Sequence, residues 1–157
     1  MEEYLLRVQQ KKPIVKTEKE KWIYTCTQRG ELELGLRKMV KTILRIAYKT
    51  ENDAKEMVIK KIYNKNDRKY ATYSYADLFD SRKSNIYLKD LKVLILANWE
   101  YFSDFWDKQD MFVLAMETLN KEGRFDAHAT IPTDDEIIII NSSLNIINKG
   151  LMKFKNM

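Results

Sequence analysis

Glycine and proline are scarce, with four and two residues in a chain of 157. Many short strands joined by tight turns draw heavily on both, so a sandwich or barrel is disfavoured and long helices with few connections are expected. The single cysteine, Cys26, has no partner for an internal disulfide and lacks the companions of a structural zinc site. It reads as a small buried hydrophobe. No apolar run reaches the roughly 18 to 20 residues needed to span a bilayer, and Met1-Glu2-Glu3 is not the basic start of a secretory signal. A soluble, cytoplasmic protein without a membrane-spanning segment is predicted. The sequence also has no glycine-rich phosphate loop, no His-Glu-x-x-His or paired-cysteine metal motif and no Gly-x-Ser-x-Gly elbow. Nucleoside-triphosphate hydrolysis and zinc chemistry are therefore poor candidates, and no cofactor is expected.

The chain does contain enough hydrophobic residues, 45% of the total, to build one packed core at this length. The expected organisation is an N-terminal arm or short helix over residues 1–16, followed by a single helical domain over 17–157. Lys and Arg number 28 against 23 Asp and Glu, a net charge of +5. That mild excess permits a polyanionic partner without demanding one.

Helical signals follow in order. Thr17 with Glu20 forms a capping box that starts a helix through Trp22, Ile23 and Cys26, with Gly30 expected to interrupt or end it. From Glu31, the residues Leu32, Leu36, Met39, Val40, Ile43, Leu44 and Ala47 recur every three or four positions and define a core helix. Asn52 or Asp53 is positioned to cap the next helix, whose stripe is Met57, Val58 and Ile62. Residues 64–87 read as a polar loop with one helical turn at Ser74 to Phe79. A single helix is then predicted from Leu88 through Trp106, because Leu88, Leu91, Ile95, Trp99, Phe102 and Trp106 keep a 3.6-residue period. Its aromatic stripe, Trp99, Phe102, Phe105 and Trp106, reads as core, extending into a subunit contact.

Asp107 or Asp110 is expected to cap a helix carrying Phe112, Ala115, Met116 and Leu119. Thr133 with Glu136 then forms a second capping box before a last segment to about Lys153. There the isoleucines 137–140 favour a strand, but the acidic first turn and the spacing of Leu144, Ile147 and Leu151 favour a helix, which is the reading adopted.

The only histidine, His128, stands in the stretch Asn120-Lys-Glu-Gly-Arg-Phe-Asp-Ala-His-Ala129. If that stretch is helical, Arg124 and His128 share a face at i, i+4. A base that titrates near neutral pH beside a fixed cation suits metal-free cleavage of RNA: His moves the proton, Arg holds the phosphate, and the 2′-hydroxyl attacks. The bland alternative is a packing histidine with Arg124 paired to Glu122 or Asp126.

Three features together resemble the HEPN superfamily of helical domains. They are Glu33-Leu-Gly-Leu-Arg-Lys38 on a long helix, Leu94-Ile-Leu-Ala-Asn-Trp-Glu-Tyr-Phe-Ser-Asp-Phe-Trp106, and Leu119-Asn120 leading into Arg124 and His128. The resemblance spans about residues 18–150 and is specific only in its last part. It implies an all-α, antiparallel helical bundle that often dimerises, so that two Arg-His pairs meet in one cleft for metal-independent endoribonuclease action. Many such domains also serve as non-catalytic binding or regulatory modules. Arg124 and His128 match the family's pair, although the family places four to six residues between them, with a polar residue directly after Arg. Here three intervene and Phe125 follows Arg124, while Asp126 offers a polar group one position later.

A second polyanion signal is the segment Lys60 to Tyr70, with Lys60, Lys61, Lys65, Arg68 and Lys69 interleaved with tyrosines up to Tyr70, followed by Tyr73 and Tyr75. Cations and aromatic rings in this mixture contact phosphates and stack on unpaired bases. The alternative is a solvated helix end whose tyrosines cover the core. The partners that follow are RNA, a second copy of the chain, or another protein.

Overall fold

The computed structural model describes residues 17–63, 68–121 and 132–157, and among them every regular element is helical. Helix α1 spans Glu18–Ala47, α2 Glu51–Ile62, α3 Tyr75–Phe79, α4 Leu88–Ala97, α5 Trp99–Phe102, α6 Gln109–Lys121 and α7 Asp134–Lys155. A 3₁₀ turn covers Arg68–Thr72. The expected all-α bundle is present, and no described helix is long and apolar enough to cross a membrane.

Local chemistry starts most of these helices. Thr17 Oγ1 accepts from the Glu20 N–H at 3.1 Å while Glu20 accepts from the Thr17 N–H at 3.4 Å. The same reciprocal box forms between Thr133 and Glu136 and between Ser74 and Asp77. The expected turn of helix at Ser74 to Phe79 is therefore present as α3. For α2 the cap is Thr50, whose hydroxyl accepts from the Asp53 N–H at 3.1 Å; Asn52 and Asp53 fall inside the first turn instead. Neither Asp107 nor Asp110 opens α6: the Lys108 carbonyl accepts from the Phe112 N–H, Asp107 pairs with Lys153, and Asp110 lies in the first turn.

Two expected boundaries are corrected. Gly30 neither ends nor interrupts α1, which runs thirty residues, because nothing downstream offers a competing cap or a missing donor. The single helix expected over 88–106 is broken at Asn98. There the backbone N–H bonds to Ile95 O, and the side-chain amide donates to Leu94 O at 2.8 Å, the acceptor a continuing helix would give to the backbone. Its Oδ1 also accepts from Tyr48 OH at 2.7 Å, so the break is fixed from α1's end. The apolar period continues past the break because Phe102 and Trp106 still face the core.

Helix α7 organises the bundle. Lys21 pairs with Asp134, Tyr24 OH donates to Asn141, and Gly35 lies against Leu151, so α1 and α7 run side by side in the same direction. Helix α6 lies antiparallel to α7: Asp107, just before α6, reaches Lys153, and Trp106 Nε1 donates to Ile147 O. Helix α4 closes the space between α1 and α6 and also packs on α2, while α3 packs on α1 and α2. The core holds the predicted stripe of α1, with Leu36, Met39, Val40 and Leu44 fully enclosed, together with Leu91, Leu94, Ile95, Phe102, Phe112, Met116 and Ile147. Trp99 and Phe105 are half-buried against it, which confirms the aromatic stripe as core. Of the four isoleucines 137–140, only Ile140 is buried. Cys26 is half-buried rather than buried.

Candidate functional site

Three places are candidates for chemistry. The first, by sequence, is the junction of α6 and α7. Arg124, Asp126 and His128 lie outside the described residues, between Lys121, the last residue of α6, and Pro132, which is buried ahead of the α7 cap. Because α6 and α7 pack antiparallel while α1 and α7 run together, this junction falls at the end of the bundle where α1 begins. The Lys21–Asp134 ion pair, 2.5 Å long, ties those two helix starts to each other.

The second place is the predicted cationic segment. Lys60 and Lys61 are exposed on the last turn of α2, and Lys69 is exposed with its Nζ 5.8 Å from the centre of the Tyr70 ring. Lys65 lies outside the described residues, and Arg68 opens the 3₁₀ turn. The tyrosines point inward. Tyr70 is buried, stacked on Tyr63 with centroids 3.7 Å apart and met edge-on by Tyr73. Tyr75 OH donates to Lys41 O at 2.6 Å, and burial pushes its phenol pKa well above the ordinary value. Tyr63 OH shares a hydrogen bond with Ser84 Oγ, and burial raises its pKa too. The stacked and edge-on contacts of Tyr70 thus help close the loop after α2 onto the core, and Lys60, Lys61 and Lys69 are exposed around it.

The third place lies on Glu33-Leu-Gly-Leu-Arg-Lys38, a segment that carried the resemblance but was given no site role by sequence reasoning. Arg37 is buried in the middle of α1, where a lone cation would be strongly disfavoured without partners. Its guanidinium pairs with Glu33 at 3.4 Å and donates to the carbonyls of Phe79 and Ile86, fastening the segment between α3 and α4 to α1. Its Nε is buried with no hydrogen-bond partner. Beside it a shallow pocket of about 190 Å³ is lined by Leu34, Arg37, Lys38, Lys41, Phe79 and Ser81. Four of these, Leu34, Arg37, Lys38 and Lys41, follow i, i+3, i+4, i+7, which was the legible signal: one helix face with three cations next to an apolar stripe.

A larger groove, about 1080 Å³, is lined among the described residues from the α5–α6 connection and the second half of α7. Phe105, Met111, Ile146 and Met152 supply apolar surface, and Lys108, Lys149 and Lys153 supply charge. No group of three or more His, Cys, Asp or Glu side chains is placed to hold a metal among the described residues. No family model, curated protein or solved structure matches the chain.

Proposed function

We propose that the protein is a HEPN-like, metal-independent endoribonuclease that cleaves single-stranded RNA, in a toxin or phage-defence setting. Arg124 holds the scissile phosphate, and His128 takes the proton from the 2′-hydroxyl, with Asp126 as the polar group beside them. The 2′-oxygen forms a bond to phosphorus as the bond to the 5′-oxygen breaks, leaving a 2′,3′-cyclic phosphate and a 5′-hydroxyl. The leaving oxygen takes its proton from the imidazolium of a second copy, for which a homodimer provides the shared cleft. What supports the reading is the sequence: the only histidine, His128, stands four residues after Arg124 in the connection between α6 and α7, a stretch outside the described residues.

The test is cleavage of a labelled single-stranded RNA in excess EDTA by wild type, Arg124→Ala and His128→Ala. Cleavage by wild type alone, with folding intact in the variants, supports the reading. No cleavage across several RNAs shifts it to a non-catalytic module of the same fold, such as an antitoxin, inhibitor or phage-host interaction protein. That second reading is favoured by the groove between the α5–α6 connection and α7, where exposed Met111 and Met152 stand beside Lys108 and Lys149, with Lys153 paired to Asp107, and suit the apolar face of an acidic helix.

A further inference from the structure

We propose that the pocket between α1 and the turn after α3 is a phosphate-binding site, contacted by Lys38, Lys41 and Ser81 over the wall formed by Arg37. Its contents argue for an anion. Three of its six lining side chains are cationic, one is a hydroxyl, and none is acidic. Glu33 offsets one of the three charges by pairing with Arg37, whereas neither Lys38 nor Lys41 pairs with a carboxylate among the described residues. Two net positive charges therefore face a concavity rather than being spread over a convex surface.

The size argues for a single small group. At about 190 Å³ the pocket lies below the roughly 300 Å³ at which drug-sized ligands are accommodated. It holds a phosphate, and the remainder of the ligand must lie outside it.

The construction argues for a built site rather than a chance cluster. Arg37 is nine-tenths buried and its Nε lacks a partner, so the fold retains a desolvated charge at the wall that its own acceptors do not fully satisfy. The opposite wall is held in place by that same guanidinium, through the carbonyls of Phe79 and Ile86, and by Tyr75 OH on the Lys41 carbonyl. Lys38 and Lys41 thus stand on a fixed helix face opposite a fixed turn. One turn further along α1, exposed Arg45 acts on the ionisation of Tyr75, as does acidic Glu51 at the start of α2, so the excess of positive charge is confined to the pocket itself.

The chemistry is that of a phosphate group, supplied by a free nucleotide or by an RNA backbone, and the experiment separates the two. Binding of inorganic phosphate, uridine monophosphate and a 2′-O-methylated RNA twelve-mer is measured on the full chain by titration calorimetry over a range of salt. The methylated oligomer has no 2′-hydroxyl to attack, so the result is independent of cleavage. The variants are Lys38→Gln/Lys41→Gln and, as a charge-matched control on exposed positions elsewhere, Lys89→Gln/Lys155→Gln. Thermal unfolding confirms that both fold. The expected result is at least a tenfold loss of oligomer affinity in the first variant, little change in the control, and a salt slope reduced by about 0.7 for the one single-strand phosphate held in the pocket. Nucleotide binding as tight as the oligomer's, with the same tenfold loss, supports the site and assigns it to free nucleotide. No binding of any probe by wild type, or equal losses in the two variants, overturns the proposal.

Discussion

The two halves of α1 share one helix and one capping box but almost nothing else. Over 18–31 the only buried residue is Thr25, whereas over 32–47 Leu32, Leu36, Arg37, Met39, Val40, Ile43 and Leu44 are all buried. The first half has α7 alongside it, through Lys21–Asp134 and Tyr24–Asn141; the second half is enclosed by α7, α4 and α3 as well. Helix formation is thus local at the start, set by Thr17 and Glu20, and cooperative with the core only from Leu32 onward. The two proposals divide along the same line. The buried Arg37 clamp and its cationic pocket belong to the enclosed half, and the proposed cleavage residues Arg124 and His128 stand in sequence between α6 and α7, whose described ends lie where α1 begins.

The difference can be broken most forcefully in the enclosed half. Leu36→Ala removes a fully buried side chain and is expected to destabilise the fold by about 2–5 kcal/mol, whereas Ile23→Ala in the open half should change it by less than about 0.5 kcal/mol. Urea unfolding of both variants measures this directly. Gly150→Ala sharpens the contrast next. A Cβ there would stand 2.3 Å from the Trp106 ring, so overpacking where the α5–α6 connection meets α7 should cost about 1–3 kcal/mol by the same measurement.

Gly30→Ala is expected to act in the opposite direction. An added Cβ meets nothing within 4 Å, so a mid-helix alanine should stabilise the first half by about 0.5–1 kcal/mol, seen as slower amide exchange over 18–31. The smallest effect concerns the α3 cap. Asp77 is held below the ordinary carboxylate range by Lys83 and by its hydrogen bonds with Ser74. A carboxyl with a depressed folded-state pKa adds stability that is present above its unfolded value and fades as pH falls through the folded one. An acid titration of stability should therefore be slightly flatter in Asp77→Asn than in wild type.

Much of the fold was legible because its signals are local or periodic. Thr17-Glu20 and Thr133-Glu136 announced two helix starts, and the stripe from Leu32 to Leu44 marked the core face. What failed involved competition between acceptors and donors distant in sequence. Asn98 breaks the predicted long helix because its side chain takes Leu94 O while Tyr48, fifty residues away, holds its other end. Thr50 outcompeted Asn52 and Asp53 as a cap although all three are suitable by type. Of the candidate chemistry, the tyrosines near Lys60 were visible, but their stacking of Tyr63 on Tyr70 depends on the loop folding back. Arg37 was visible only as one of three cations on a helix face, since its acceptors, Phe79 O and Ile86 O, are backbone atoms that no sequence pattern reveals.

The most direct test of the functional division between the enclosed half and the open end is single-turnover cleavage of a labelled single-stranded RNA in EDTA. Rate and half-saturating protein concentration are read separately for wild type, His128→Ala and Lys38→Gln/Lys41→Gln. The expected result is that His128→Ala abolishes cleavage while still retaining RNA, and that the double variant cleaves at the wild-type limiting rate but needs at least tenfold more protein. A limiting rate in His128→Ala equal to that of wild type would contradict the assignment of chemistry to the open end.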